Sequence, residues 1–435
     1  MTDNPFANNL NVIQSRWPAL ATELENISAG SNSLQVSLAE GGDSTLLVNG
    51  IQLTSRHNRH QEAQQQAAHI TNQAGVFLYG TALGDLQQEL LTRQSLTRLN
   101  VIILNEFIFV LVLQLIDQTN WLSDPRVHLV MASEHTEIQA PFVVATAELM
   151  LASDRNRAIR ERLCSELEAG NVASRLETAT ANLLPRLAQN RHYWKNDAQV
   201  QSLFNTLKAG QEAYVIAAGP SLEQHYGYLQ QCKNKTIPPV IICVDTAVKA
   251  LLAHHIMPDI VVTVDYLIKK HHLPNELLAK TCKLVYFPMT HEDILIDFPG
   301  TRYVAMNNTQ MFQSIRHELS ADRLYMHGSV IHPATDLAVK MGATDVVFFG
   351  ADFAFSNQKT HANWEDGEIG ISYQQATDWT FNVHGEKVPT LPNLTTYRIG
   401  IERYIQQHPA VTFYNTSKAG AVIAGTQDYP ESRLC

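Results

Sequence analysis

The second half of the chain carries the pattern that most restricts its fold. Between residues 213 and 349, six short apolar runs rich in β-branched residues (213–217, 240–244, 260–264, 284–287, 303–306 and 346–349) alternate with stretches of helical periodicity. Runs of that length without polar interruption are strands buried on both faces. A strand that is regularly followed by a helix returns parallel to its predecessor, because a parallel return needs a crossover. The spacing therefore predicts an α/β domain with a doubly wound, mostly parallel sheet. In such sheets ligands lie beyond the carboxyl ends of the strands.

The remainder is organised around that domain. Apolar/polar alternation at 34–38 and 46–53 predicts a small hairpin or meander. Residues 76–85 then run from an apolar strand through a glycine turn into a helix, and a second strand follows at 101–104. This βαβ rhythm predicts a Rossmann-like N-terminal domain over 1–150. The apolar stretch 101–116, interrupted by Asn105, Glu106 and Gln114, is too short to span a bilayer and reads as buried strand and helix. Gly80-x-x-x-Gly84 with Glu106 after the next strand either holds a nucleotide, the acidic group meeting a ribose, or serves turning and close packing alone. From 151 to 210 the sequence is polar with leucines at helical spacing, which predicts joining helices. The third segment, 211–435, holds the parallel sheet, a final helix near 393–407 and a strand at 412–414. A length of 435 residues exceeds what one continuous core supports, in keeping with this division.

Charge and cysteine usage exclude some classes of function. A formal net charge of -10 disfavours nucleic acid as partner, since such binding rests on Lys and Arg neutralising phosphates. The five cysteines, Cys164, Cys232, Cys243, Cys282 and Cys435, are odd in number and lack metal-ligand spacing, so reduced thiols without a metal are expected. No basic and apolar leader opens the sequence, which predicts a cytoplasmic protein with no membrane attachment. The adjacent pairs His254-His255 and His271-His272 point in different directions and read as packing or surface residues.

Polar and small residues gather where the strands end. The first run passes into Ala218-Gly219-Pro220-Ser221-Leu222, where Gly219 permits close backbone approach, Pro220 suits a first helical position and Ser221 suits a cap. Amides in such a turn are able to hold a phosphate, although an ordinary capped turn has the same residues. The second strand ends at Asp245-Thr246, the third at Asp265-Tyr266 and the fifth at Asn307-Asn308-Thr309. Gly328-Ser329-Val330 precedes a helix at 331–341, and Gly350-Ala351-Asp352-Phe353 ends the last run. Asp352, after a fully apolar strand, either serves a ligand or orients a neighbouring loop. The stretch 355–390, with Lys359, Thr360, His361 and His384, lacks regular periodicity and is expected to be a lid.

Together these motifs resemble the motility accessory factor (Maf) family of flagellin glycosyltransferases. The resemblance rests on Ala218-Gly219-Pro220-Ser221-Leu222, Val244-Asp245-Thr246-Ala247, Pro258-Asp259 leading to Asp265, Gly328-Ser329-Val330, Gly350-Ala351-Asp352-Phe353, Lys359-Thr360-His361-Ala362 and 420–425. It extends to Tyr79-Gly80-Thr81-Ala82-Leu83-Gly84 and Asp124-Pro125-Arg126-Val127 near the N-terminus. The central segment is also similar to bacterial sialyltransferases of the modified GT-A type, except that those have Asn where this chain has Asp245 and Asp265.

The resemblance implies transfer of a nonulosonic acid, pseudaminic or legionaminic, from its CMP donor to Ser or Thr of flagellin, without a metal or other cofactor. By the same similarity Gly219, Pro220 and Ser221 face the CMP phosphate, and Asp245 and Asp265, with Thr246 and Asn307 beside them, face the nucleotide. Gly328, Ser329 and Val330 face the sugar carboxylate or phosphate, with Lys359 and Thr360 assisting. His361, favoured over His384, is the expected base, and Asp352 stands at the same edge. Flagellin is the implied acceptor partner, with a homo-oligomer as a further expectation. Two rival readings stand beside this: a 6-hydroxymethylpterin pyrophosphokinase using ATP and Mg²⁺, and a flagellin-binding protein without catalysis.

Overall fold

Three antiparallel strands, β1 (Val36–Glu40), β2 (Ser44–Val48) and β3 (Ile51–Gln52), form the small meander that the alternation predicts. They are followed by β4 (Gly75–Tyr79), β5 (Arg98–Ile103), β6 (Val127–Met131) and β7 (Phe142–Val144), an all-parallel sheet in the order β6-β5-β4-β7. Alternate residues serve opposite faces: Val76, Leu78, Leu99 and Val101 join one buried cluster, while Tyr79, Ile102 and Val144 join another. The apolar stretch 101–116 resolves into β5 and the helix Glu106–Leu115, whose cap Asn105 accepts from the Phe107 and Ile108 amides at 3.0 and 3.1 Å.

The second sheet has nine strands, all parallel. They are β8 (Ala198–Gln199), β9 (Ala213–Ile216), β10 (Val240–Val244), β11 (Ile260–Thr263), β12 (Lys283–Tyr286), β13 (Arg302–Val304), β14 (Asp345–Phe349), β17 (Thr412–Asn415) and β18 (Gln427–Asp428). A separate hairpin pairs β15 (Asp378–Phe381) with β16 (Lys387–Thr390). The order β18-β17-β14-β9-β10-β11-β12-β13-β8 reverses direction between β9 and β14, which marks the switch point of a doubly wound sheet. Every residue of β9, β10 and β11 is buried. Each such aliphatic side chain contributes on the order of 1.5–3 kcal/mol on leaving water, so these three strands anchor the unit.

This computed structural model describes residues 4–29, 34–134, 137–368 and 370–434, and the chain divides into two units at 1–164 and 165–435. Two departures from the sequence reading concern the boundaries. The joining helices predicted over 151–210 are present as Arg157–Gln189 and Arg191–Asn196, but the later part of that span belongs to the second unit. Trp194 and Val200 are in its core, and β8 closes one edge of its sheet against β13. The stretch 355–390 is not structureless, since it contains the β15–β16 hairpin. Pro389 obscures the strand pattern there, and proline is tolerated because the hairpin is all edge.

Candidate functional site

Over the carboxyl ends of β10, β11 and the strands beyond them opens a cleft of about 840 Å³. Asp245, Thr246, Asp265, Asn307, Gly328, Ser329, Val330 and His361 all line it, so eight of the residues singled out in the sequence converge on one space. Apolar and aromatic side chains complete the walls, among them Tyr266, Met289, Met326 and Tyr397. Met289, Met326 and Tyr397 were missed in the sequence because nothing separates a cleft side chain from a core side chain except the topology that places it.

Asp245 sits at the floor with 1% exposure. Its carboxylate accepts from the Thr263 hydroxyl and its neighbour's Thr246 amide, both at 2.8 Å. Burial pushes its pKa up to about 7 against those hydrogen bonds, and the nearby Asp265 charge pushes the same way. Asp265 is exposed and accepts from the Leu267 amide at 2.8 Å. Asn307 is buried and turns its carbonyl to the Thr309 amide at 2.9 Å. None of the described lining residues is Lys or Arg.

The opposite wall is the start of the ten-residue helix Ile331–Lys340, entered through Gly328 at a φ of 92°. That left-handed turn suits glycine, and an added Cβ would stand 2.7 Å from the Tyr397 ring. Beneath it His332 is wholly buried. Its ring lies with Nε2 3.0 Å from the Tyr397 carbonyl and Nδ1 2.8 Å from the Ser329 carbonyl and 3.2 Å from the Ser329 amide, so a neutral ring donates one of these bonds to a carbonyl. Burial pushes the His332 pKa down to about 4, consistent with that neutral ring. The His332 amide donates to the Ser329 carbonyl at 3.2 Å, Pro333 has no N–H and the Ala334 amide donates to the Val330 carbonyl at 3.3 Å, so the Ser329 hydroxyl and the Val330 and Ile331 amides are the donor groups of this wall.

The switch-point turns behave differently from expectation. The Ser221 amide donates to Asp352 Oδ2 at 2.8 Å and its hydroxyl donates to Oδ1 of the same carboxylate, while Ser356 adds a third bond at 2.6 Å. Gly219 donates to the Gly350 carbonyl at 2.8 Å, and a Cβ on Gly219 would meet that oxygen at 2.4 Å. Gly219, Pro220 and Ser221 therefore join the β9 turn to the β14 turn, and the Gly219 and Ser221 amides are not presented to a phosphate. Asp352, 2% exposed, is the acceptor at the centre of that junction and does not line the cleft.

The remaining expectations divide. Lys359 is engaged with Glu223 at 3.0 Å, and neither it nor Thr360 lines the cleft. The Thr360 hydroxyl is buried without a partner among the described residues. His384 is exposed at the tip of the β15–β16 hairpin, away from the cleft lining, whereas His361 borders the cleft. In the first unit, the turn after β4 is occupied by the chain itself. Glu148, wholly buried, accepts from the Thr81 amide at 2.8 Å, the Thr81 hydroxyl and the Ala82 amide, and Glu106 is bonded to Ser153. The amides a nucleotide phosphate would need there are filled by a carboxylate.

Residues 185–358 match a known family model. Its description is 6-hydroxymethylpterin diphosphokinase MptE-like, and the match spans under half of the chain. No curated protein matches. Among solved structures, the MAf glycosyltransferase from Magnetospirillum magneticum AMB-1 aligns over 98% of this chain and 74% of its own, with 14% identity and a TM-score of 0.44. Spermidine synthase from Thermotoga maritima aligns over 28% of this chain and 49% of its own, with 16% identity and a TM-score of 0.23. The matched family segment contains the cleft residues of β10 to the 331–340 helix and stops short of His361.

Cys232, Cys243 and Cys282 are buried free thiols, while Cys435 lies outside the described residues. Burial raises the Cys232 and Cys282 pKa values to about 11 and about 12, so neither is a nucleophile near neutrality. Among the described residues there is no grouping of three or more His, Cys, Asp or Glu that would hold a metal, and no helix long and apolar enough to cross a membrane.

Proposed function

We propose that the cleft binds a CMP-activated nonulosonic acid and transfers the sugar, with inversion, to a Ser or Thr hydroxyl of flagellin. The observation that carries this reading is the convergence of Asp245, Thr246, Asp265, Gly328, Ser329, Val330 and His361 on one space, residues that belong to the motifs on which the sequence resemblance to flagellin glycosyltransferases rests. Asp245 and Asn307 are suited to the amino and hydroxyl groups of the nucleoside. The leaving phosphate is met by the Ser329 hydroxyl and the Val330 and Ile331 amides at the positive end of the 331–340 helix, which act in place of Lys and Arg.

In the reaction the acceptor oxygen forms a bond to the anomeric carbon as the bond to the phosphate oxygen breaks. The hydroxyl proton passes to a base, and His361 is the imidazole at the cleft edge. Asp352 and Ser221 support the sheet edge from outside the cleft. His384 has no part in this account.

The MptE-like match favours a second reading, pyrophosphoryl transfer from ATP to a pterin alcohol. Two carboxylates, Asp245 and Asp265, reach the cleft, the number that a magnesium ion held mainly by substrate phosphates takes. The two readings separate in one assay. The protein is incubated with flagellin and CMP-pseudaminic or CMP-legionaminic acid, and in parallel with ATP, Mg²⁺ and 6-hydroxymethylpterin. A gain in flagellin mass with release of CMP supports sugar transfer. Release of AMP with no change in flagellin replaces it with the pterin reading.

A further inference from the structure

The loop that carries His361 is backbone-strained. Phe353, Asn357, Gln358 and Asn363 all have φ between 47° and 64°, a left-handed region that costs each non-glycine residue energy unless neighbours enforce it. What holds the loop around His361 comes from the turn after β9. The Glu223 carboxylate accepts from Lys359 Nζ at 3.0 and 3.2 Å and from the Asn363 amide at 3.0 Å, so one side chain grips the loop two residues before and two residues after the imidazole. The Ala362 amide adds a bond to the Ala218 carbonyl at 2.8 Å, and the buried Trp364 lies beneath the Lys249 ammonium at 3.7 Å. Burial alone would raise the Glu223 pKa, but the Asn363 amide and Lys359 outweigh it and hold the carboxylate below its usual range.

We propose that Glu223, which does not line the cleft, is a positioning residue that fixes His361 at the cleft edge. The proposal rests on reading His361 as the base. The Glu223 and Lys359 side chains are 33% and 41% exposed, and an ion pair that open contributes little to overall stability. The consequence of losing it is therefore local, and a base displaced by about 1 Å loses as much as a hundredfold in rate.

The test compares Glu223→Ala with Glu223→Gln, which keeps an acceptor for the Asn363 amide. Glu223→Ala is expected to lower kcat roughly tenfold to a hundredfold, with the donor KM, CMP affinity and thermal midpoint unchanged, and Glu223→Gln to recover most of the rate. The His361 ring signal in a ¹H–¹³C spectrum is expected to shift or broaden in Glu223→Ala alone. Unchanged kcat and an unchanged ring signal in Glu223→Ala overturn the proposal, as does a joint fall in kcat, CMP affinity and thermal midpoint. Should the wild type transfer no sugar, the function proposed above fails, and the ring signal still decides whether Glu223 places His361.

Discussion

Replacing Asp245 by Asn converts the buried carboxyl of the cleft floor into a neutral group of the same shape, and its effect depends on pH in a calculable way. Asp245 has a pKa of about 7 in the folded protein against an ordinary value of 3.8. Between those values the native state binds about one proton more than the unfolded state, so unfolding free energy falls as pH rises, by about 1.4 kcal/mol per pH unit. The whole shift corresponds to about 4 kcal/mol, reached near pH 7 and constant above it. The substituted asparagine would still accept from the Thr246 amide, and its own side-chain amide is able to donate to the Thr263 hydroxyl, so few hydrogen bonds are lost. Urea unfolding followed by tryptophan fluorescence, with Asp245→Asn compared to wild type at pH 4.5, 6 and 8, measures the difference. The variant is expected to gain on the wild type as pH rises and to be the more stable by up to about 4 kcal/mol at pH 8. A stability gap independent of pH, or one that grows in the wild type's favour, refutes the argument from burial.

Three further outcomes follow from the same geometry. Asp352→Ala strands the Ser221 amide and hydroxyl and the Ser356 hydroxyl, and is expected to cost on the order of 3–6 kcal/mol in urea unfolding; lost activity with unchanged stability would return Asp352 to the chemistry. His361→Ala is expected to reduce kcat about 100-fold or more while His384→Ala leaves it near wild type, as read by CMP release; equal effects of the two substitutions contradict the assignment. Glu148→Ala, which empties the amide turn of the first unit, is expected to destabilise the protein by about 2–4 kcal/mol and to leave CMP affinity unchanged; calorimetry with CMP checks the second half.

The strands of the second unit were legible because burial on both faces leaves a mark in composition. Val240–Val244 appears in the sequence with the bounds it has in the structure, and the other five runs agree within two residues at either end. β8 and β18, two residues each, carry too little pattern to be seen, and β15–β16 is hidden by Pro389 and by polar residues on an exposed hairpin. The cleft was legible at Asp245, Asp265, Asn307 and Ser329 because strand ends of a parallel sheet share an edge. The Ser221 turn misled because a residue suited to hold a phosphate is equally suited to bond a carboxylate, and only the topology brings Asp352 beside it. Glu223 left no signal, since its partners lie about 140 residues away in sequence.

A crystal structure of the protein with CMP bound tests the central claim, that the working cleft lies over β10 to β13 and not at the β9–β14 junction. The account predicts the base and ribose against Asp245 and Asn307, with the phosphate at the Ser329 hydroxyl and the Val330 and Ile331 amides. CMP seated on the Ser221 turn, or in the first unit at the Glu148 turn, would contradict it.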